Sequence, residues 1–118
     1  MNVEDLRNYC LSKPGVTESF PFDDVTLVMK VGNKMFALIS LDEPYGINLK
    51  CNPELAIQLR ETYDAVKPGY HMNKTHWNTV NIDGSISKQL LREWIDDSYS
   101  LIYNSLPNNK KLELKNNF

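Results

Sequence analysis

The sequence lacks the features of membrane-spanning, secreted and disulfide-bonded proteins. No apolar run in its 118 residues approaches the roughly 20 residues that a membrane helix needs. The first residues are acidic and no apolar stretch with a small-residue cleavage site follows them, so we expect no secretory signal. The two cysteines, Cys10 and Cys51, fall on different predicted elements and are expected to be free thiols in a reducing compartment. We therefore expect a cytoplasmic protein that makes no contact with membranes.

The sequence also lacks the short motifs that identify common catalytic and metal sites. It contains no phosphate-binding loop, no glycine-rich dinucleotide motif, no Gly-x-Ser-x-Gly element and no His-Glu-x-x-His pair. The spacing of the two histidines, His71 and His76, fits neither a helical pair of ligands nor a common zinc pattern, and no cysteine or acid lies between them. We therefore expect no enzymatic activity, no cofactor and no bound metal.

The chain has no excess of positive charge. It has 13 lysines and arginines against 15 acids, a net charge of −2 and an isoelectric point of about 5.6. The whole molecule therefore offers a phosphate backbone no general attraction. Residues 65–82 differ, because they hold Lys67, Lys74 and both histidines and no acid. This stretch has the clearest local bias toward positive charge.

Hydrophobic periodicity and turn residues predict a single α+β domain. The predicted elements are a helix capped by Asn2, strands over 26–31, 34–41 and 46–51, a helix from Asn52-Pro53, strands near 66 and over 77–82, and a long helix capped by Ser87. Gly32-Asn33 between the first two strands is a strong hairpin signal, whereas Phe20-Pro21-Phe22 is expected to pack as a plug. The order α-β-β-β-α-β-β-α gives a two-layer α/β domain with an antiparallel sheet of about five strands over residues 1–107, followed by a loose tail over 108–118.

Pairing across a two-residue turn assigns the hairpin side chains to two faces. Met29 opposite Phe36 and Leu27 opposite Leu38 are the bulkier set, which we assign to the core under the helices. The other, open face then carries Thr26, Val28, Lys30, Met35, Ala37 and Ile39, joined by Asn48 and Lys50 of the third strand. This face is either the ordinary amphipathic surface of a small sheet or an interaction surface for a second copy or another partner. A one-residue change in register exchanges the two faces of a strand.

The segment from residue 67 to residue 79 has the most unusual composition in the chain. Lysine and protonated histidine bind phosphates, asparagine and threonine donate to phosphates or base edges, and aromatic rings stack on unpaired bases. The alternative is a structural corner, in which Trp77 anchors the core, Pro68-Gly69 turns the chain and Asn73 bonds to loop backbone. The composition alone leaves both interpretations open.

The chain resembles the MmcQ/YjbR family of small bacterial proteins in segments 13–22, 28–38, 47–51 and, most specifically, in the run Pro68-Gly69-Tyr70-His71-Met72-Asn73-Lys74-Thr75-His76-Trp77-Asn78-Thr79. The resemblance covers residues 2–107 and implies an α-β(3)-α-β(2)-α fold with an antiparallel sheet, similar in shape to secretion chaperones. Members are described as DNA-binding through a double-wing arrangement of hairpins and helices. The resemblance implies no catalytic residue.

These observations predict a non-enzymatic DNA-binding module whose affinity is weak and strongly dependent on salt, since few lysines share one surface. The residues expected to contact DNA are Lys67, Tyr70, His71, Asn73, Lys74, His76 and Trp77, with Lys30 and Lys50 as helpers. One alternative is a protein-interaction or chaperone-like module that uses the outer sheet face around Met35, Ala37 and Ile39. Another is a small-ligand or enzyme site, which requires a concave pocket lined by His71 and His76.

Overall fold

The fold is described by a computed structural model of residues 1–117, with side chains described for residues 1–115. Its elements are α1 (Val3–Leu11), β1 (Val16–Ser19), β2 (Thr26–Val31), β3 (Lys34–Ser40), β4 (Gly46–Lys50), α2 (Pro53–Thr62), β5 (Val66–Pro68), β6 (Trp77–Asn81), α3 (Lys88–Ser105) and α4 (Asn108–Asn117). All neighbouring strands pair antiparallel, in the order β1-β2-β3-β4-β6-β5. The predicted α+β class and antiparallel sheet are confirmed, with six strands in the described residues where we expected about five.

The additional strand, β1, lies in the segment that we expected to be an irregular link. The strand forms because residues 16–19 pair antiparallel with the edge of β2, beginning with Val16 opposite Val31. Phe20 and Phe22 follow β1 and are both exposed, so the expected plug is wrong.

The segment expected to be a loose tail forms α4 over most of its length. Leu114 of α4 is partly buried and packs over Gly15, where any larger residue would collide with the leucine side chain. Residue 118 lies outside the described residues.

Side-chain caps explain where three of the helices begin. At α1, Asn2 accepts a hydrogen bond from the Asp5 backbone N–H at 2.8 Å, and the Asp5 carboxylate accepts one from the Asn2 backbone N–H at 3.1 Å. Asn52 caps the first turn of α2, which has proline at its first position, and Ser87 caps α3. These helix starts agree with the sequence prediction.

The first three helices pack on one face of the sheet and leave the opposite face open. The core between them is formed by Leu6 and Cys10 of α1, Leu91 and Ile95 of α3, and the strand residues Leu27, Met29, Ile39, Ile47, Leu49 and Val80. α2 packs against β5 and β6 at the same side. The opposite face has a small apolar cluster of Val28, Leu38 and Trp77, which we call the outer cluster.

A β-bulge shifts the register of the β2–β3 hairpin. Gly32 and Asn33 both have positive φ values, 56° and 66°, which suit a two-residue hairpin turn. Val31 opposes Lys34 as predicted, but Phe36 is an extra residue in β3, so Met29 opposes Ala37.

Beyond Phe36, the bulge places the β3 side chains on the sheet face opposite to the one that we predicted for them. Ala37 and Ile39 face the helices and are fully buried, whereas Leu38 lies on the open face in the outer cluster. The predicted assignment to the open face is therefore wrong for Ala37 and Ile39 and is confirmed for Met35. An extra residue in one strand changes the register by one residue and so exchanges the two faces of that strand.

Ser98 of α3 supplies hydrogen bonds between β3 and β4 beside this bulge. Its hydroxyl accepts from the Lys50 backbone N–H at 2.9 Å and donates to the Phe36 carbonyl at 2.6 Å. Ser98 is fully buried, so water cannot replace it. A single hydroxyl thus pairs two backbone groups where the extra residue interrupts the ladder.

Both cysteines are buried and should resist chemical modification in the folded protein. Burial raises the pKa of Cys10 to about 12 and also raises the pKa of Cys51. Since the thiolate is the reactive form, we expect a thiol reagent at about pH 8 to label neither residue of the native protein. Urea-unfolded protein should show two reactive thiols per chain, and rapid labelling of the native protein would contradict this prediction.

Candidate functional site

The open face of the sheet carries rows of side chains that cross the strands. One row contains Val28, Leu38, Asn48, Thr79 and Lys67, in order from β2 to β5. The neighbouring row contains Thr26 beside Ser40, and Gly46 beside Asn81. Because Gly46 has no side chain, the open face of the sheet is depressed in the middle of this second row.

These two rows form the floor of a groove with a volume of about 910 Å³, which we call the outer groove. The loop before β2 forms one wall with Phe22 and Asp23, and the loop between β5 and β6 forms the other with Tyr70, His71 and Met72. The volume lies within the range of pockets that bind small ligands. The open face therefore offers a concave site rather than a flat surface.

Aromatic side chains stand at the rim of both walls. The Phe22 side chain is 64% exposed and the Tyr70 side chain is 69% exposed. The rings of Tyr70 and His71 lie with centroids 4.0 Å apart and planes inclined by 53°. His71 has φ of 58°, a left-handed conformation that costs a residue with a side chain about 1 kcal/mol. Strained backbone of this kind is common at ligand sites.

Internal hydrogen bonds hold the loop of residues 69–76 in place. The Lys74 ammonium group donates to the Gly69 carbonyl at 3.0 Å, and the Asn73 side chain accepts from the Thr75 backbone N–H at 2.9 Å. The Gly69 backbone N–H donates to the Trp77 carbonyl at 2.8 Å, and a Cβ atom at Gly69 would lie 2.8 Å from the Cβ of Trp77. Only glycine fits at this position, so the start of the loop is tightly specified.

A set of hydrogen bonds centred on the buried side chain of Asn78, which we call the bracket, joins this loop to α2. The Arg60 guanidinium donates from Nε to Asn78 Oδ1 at 2.7 Å and from Nη2 to the Lys74 carbonyl. The Asn78 amide donates to the Ala56 carbonyl at 3.2 Å. Asn78 is buried on the helix side of β6, so it anchors the loop wall from behind the sheet.

The structure brings three of the nine predicted DNA-contacting residues into the outer groove. They are Lys67, Tyr70 and His71. Asn73 accepts a hydrogen bond from loop backbone, as the structural-corner interpretation expects, and Lys74 also bonds within the loop. Trp77 packs in the outer cluster on the open face, not in the core under the helices. His76 contributes its carbonyl to the Cys51 backbone N–H, and the groove lining includes His71 but not His76.

Lys30 and Lys50 lie on the open face, in a third row with Met35 and Trp77. None of these four residues lines the outer groove. The two lysines are therefore on the predicted face but outside the groove.

Most of the polar floor was missing from the predicted site. Ser40, Thr79 and Asn81 share the floor with Asn48 and Thr26, which the sequence placed on the open face without a specific role. The sequence feature that could have identified these floor residues is the alternation of small polar residues along β4 and β6, because alternate residues of a strand lie on the same face.

The described residues provide no evident metal site. No three His, Cys, Asp or Glu side chains of this part of the chain converge as metal ligands do. None of its helices combines the length and hydropathy of a membrane span.

A protein-family profile described as YjbR matches residues 11–101. The chain belongs to the YjbR family. It is 36% identical to the uncharacterised protein YjbR of Escherichia coli K12 over 112 residues, which cover 94% of this chain and 95% of the relative. It is 39% identical to the uncharacterised protein YbdF of Escherichia coli O157:H7 over 104 residues, which cover 87% and 85%. The family expected from the resemblance is confirmed.

Solved structures of similar proteins agree with this YjbR fold. The crystal structure of the Deinococcus radiodurans protein DR2400, described as a DUF419 domain, has a TM-score of 0.90 and 40% identity, covering 97% of this chain and 88% of that chain. A Pseudomonas syringae protein has a TM-score of 0.75 and 28% identity, covering 86% and 99%. The names of these four relatives state no activity, so family membership does not by itself assign a function.

Proposed function

We propose that this YjbR-family chain is a non-enzymatic module that binds DNA weakly, as a single strand, in the outer groove. The observation that carries the proposal is the pair of exposed rings, Phe22 and Tyr70, on opposite walls above a polar floor. Aromatic stacking on unpaired bases is the usual way in which proteins bind single strands. A paired duplex keeps its bases stacked on one another, so it cannot use these rings.

The charges around the groove support a weak interaction. Lys67 and His71 are exposed on the β5 side, where they can bind one or two phosphates. The net charge of −2 adds no general attraction for the rest of a DNA chain. Binding should therefore depend on base stacking as well as on phosphate contacts.

A titration of labelled protein with a mixed-sequence DNA hexamer, followed by amide shifts, tests this proposal. Shifts should cluster at residues 22–26 and 67–81 and should weaken between about 20 mM and about 200 mM salt. One or two phosphate contacts predict a slope of log K against log salt between about −0.7 and −1.4. The matching duplex should bind more weakly.

Tyr70→Ala is the most informative variant for this titration. We expect an affinity loss of about tenfold, because base–aromatic stacking contributes about 1–3 kcal/mol per base. Phe20→Ala, which removes an exposed ring outside the groove lining, is the matched control and should bind normally. Equal losses in both variants, or no shifts at either salt concentration, would contradict the proposal and direct the search to protein partners.

A further inference from the structure

The hydroxyl groups on the β2 side of the outer groove already donate their protons within the protein. Thr26 Oγ1 donates to Asp23 Oδ2 at 3.2 Å, and Ser40 Oγ donates to the Asp42 carbonyl at 2.8 Å. A carboxylate and a carbonyl can only accept, so the direction of both hydrogen bonds is fixed. Each hydroxyl therefore presents only lone pairs to a ligand.

Asp23 adds a carboxylate, which is a further acceptor, to the same side. Hydrogen bonds from the backbone N–H groups of Val25 and Thr26 lower the pKa of Asp23, so its carboxylate remains ionised at neutral pH. The β2 side of the groove thus favours ligand groups that donate hydrogen bonds, and its negative charge repels phosphate.

The β5 side has the opposite character. The Lys67 ammonium group can only donate, and Thr79 Oγ1 donates to the Asn48 carbonyl oxygen, which occupies one lone pair of that oxygen. The two Asn48 amide hydrogens can donate to a ligand. Ser40 on β3 and Lys67 on β5 are three strand spacings apart, or about 14 Å. The groove therefore presents hydrogen-bond donors at its β5 side and acceptors at its β2 side. The distance between the two sides is comparable with the length of a nucleotide whose phosphate is bound by an extended lysine side chain.

We infer that the outer groove selects bases that carry an exocyclic amino group, with the phosphate at Lys67 and the base directed toward Thr26 and Ser40. This inference rests on the proposed function and specifies its ligand. Cytosine presents an N4 amino donor at the exocyclic position where uracil presents a carbonyl acceptor, and the adjacent N3 is an acceptor in cytosine and an N–H donor in uracil. At the exocyclic position, only the amino group matches the lone pairs of Thr26 and Ser40, and its two hydrogens can donate to both hydroxyls.

Deoxycytidine and deoxyuridine hexamers provide the direct test, measured at about pH 7.5 and the same low salt concentration. We expect the cytosine strand to bind about fivefold more tightly, which corresponds to one net hydrogen bond. Ser40→Ala should reduce this ratio toward one and leave the affinity for the uracil strand unchanged. Thr26→Val, which keeps the side-chain shape, should act in the same direction.

The possible outcomes separate this inference from the proposed function. Equal affinities, or tighter binding of the uracil strand, would overturn the selectivity and leave single-strand binding in place. A cytosine preference that Ser40→Ala and Thr26→Val both fail to reduce would also overturn it, because another part of the chain would then read the base. Failure of both hexamers and of the mixed-sequence strand to bind would reject the proposed function as well.

Discussion

Replacing Ser98 by alanine should lower the free energy of unfolding by about 2–4 kcal/mol. The substitution leaves the Lys50 N–H and the Phe36 carbonyl without the hydroxyl that pairs both of them, at a position closed to water. Each buried backbone group that loses its partner costs about 1–3 kcal/mol. Urea unfolding monitored by tryptophan fluorescence measures the change.

Ser100→Ala is the matched control for this experiment. Ser100 lies on the same helix and is exposed, so its replacement should change stability by less than about 0.5 kcal/mol. A loss of less than about 1 kcal/mol in Ser98→Ala would mean that the strands close on each other without the hydroxyl, and the role assigned to Ser98 would be wrong.

Replacing Asn78 by leucine should cost about 2–3 kcal/mol and loosen the wall of the outer groove. The leucine keeps the bulk of the side chain but removes the acceptor of Arg60 Nε and the donor to the Ala56 carbonyl. Hydrogen bonds to charged groups contribute about 1.5–3 kcal/mol, more than neutral ones. Hydrogen exchange should accelerate at the Gly69 and Trp77 amides, which donate to the Trp77 and Asn73 carbonyls at the two ends of the loop, more than at amides of α1.

Arg60→Met provides the companion variant. It removes the same bond to Asn78 from the other side, together with the bond to the Lys74 carbonyl. Because the two residues share a contact, the double variant should lose less stability than the two single losses combined. Fully additive losses would show that Asn78 and Arg60 act independently and that the bracket does not exist.

The sequence predicted a helix or a turn correctly where the interaction that determines it joins residues close together in the chain. Asn2, Asn52 and Ser87 cap helices within a few residues, and Gly32-Asn33 adopts the positive φ values of a hairpin turn. The bulge at Phe36 was not predicted, because distant contacts stabilise it. Phe36 packs edge-on against Tyr99 of α3 at 5.4 Å, and Ser98 pairs the backbone beside it.

The same limit applies to the candidate site. Lys67, Tyr70 and His71 stood out because they are close together in the sequence. The floor of the groove combines Thr26, Ser40, Asn48, Thr79 and Asn81, which come from four strands. Their association depends on strand order and register, which a single sequence does not reveal when one bulge exchanges two faces.

The polar floor requires β6 to pair with β4, and this pairing brings together Asn48 and Thr79 across 31 positions of the chain. The β2–β3 hairpin is local and can form early, whereas contacts of long sequence separation form late in folding. A nascent chain therefore acquires its binding site only when the last strand has been placed. A ligand in the outer groove would act on the completed domain, slowing its unfolding while leaving the rate of folding almost unchanged.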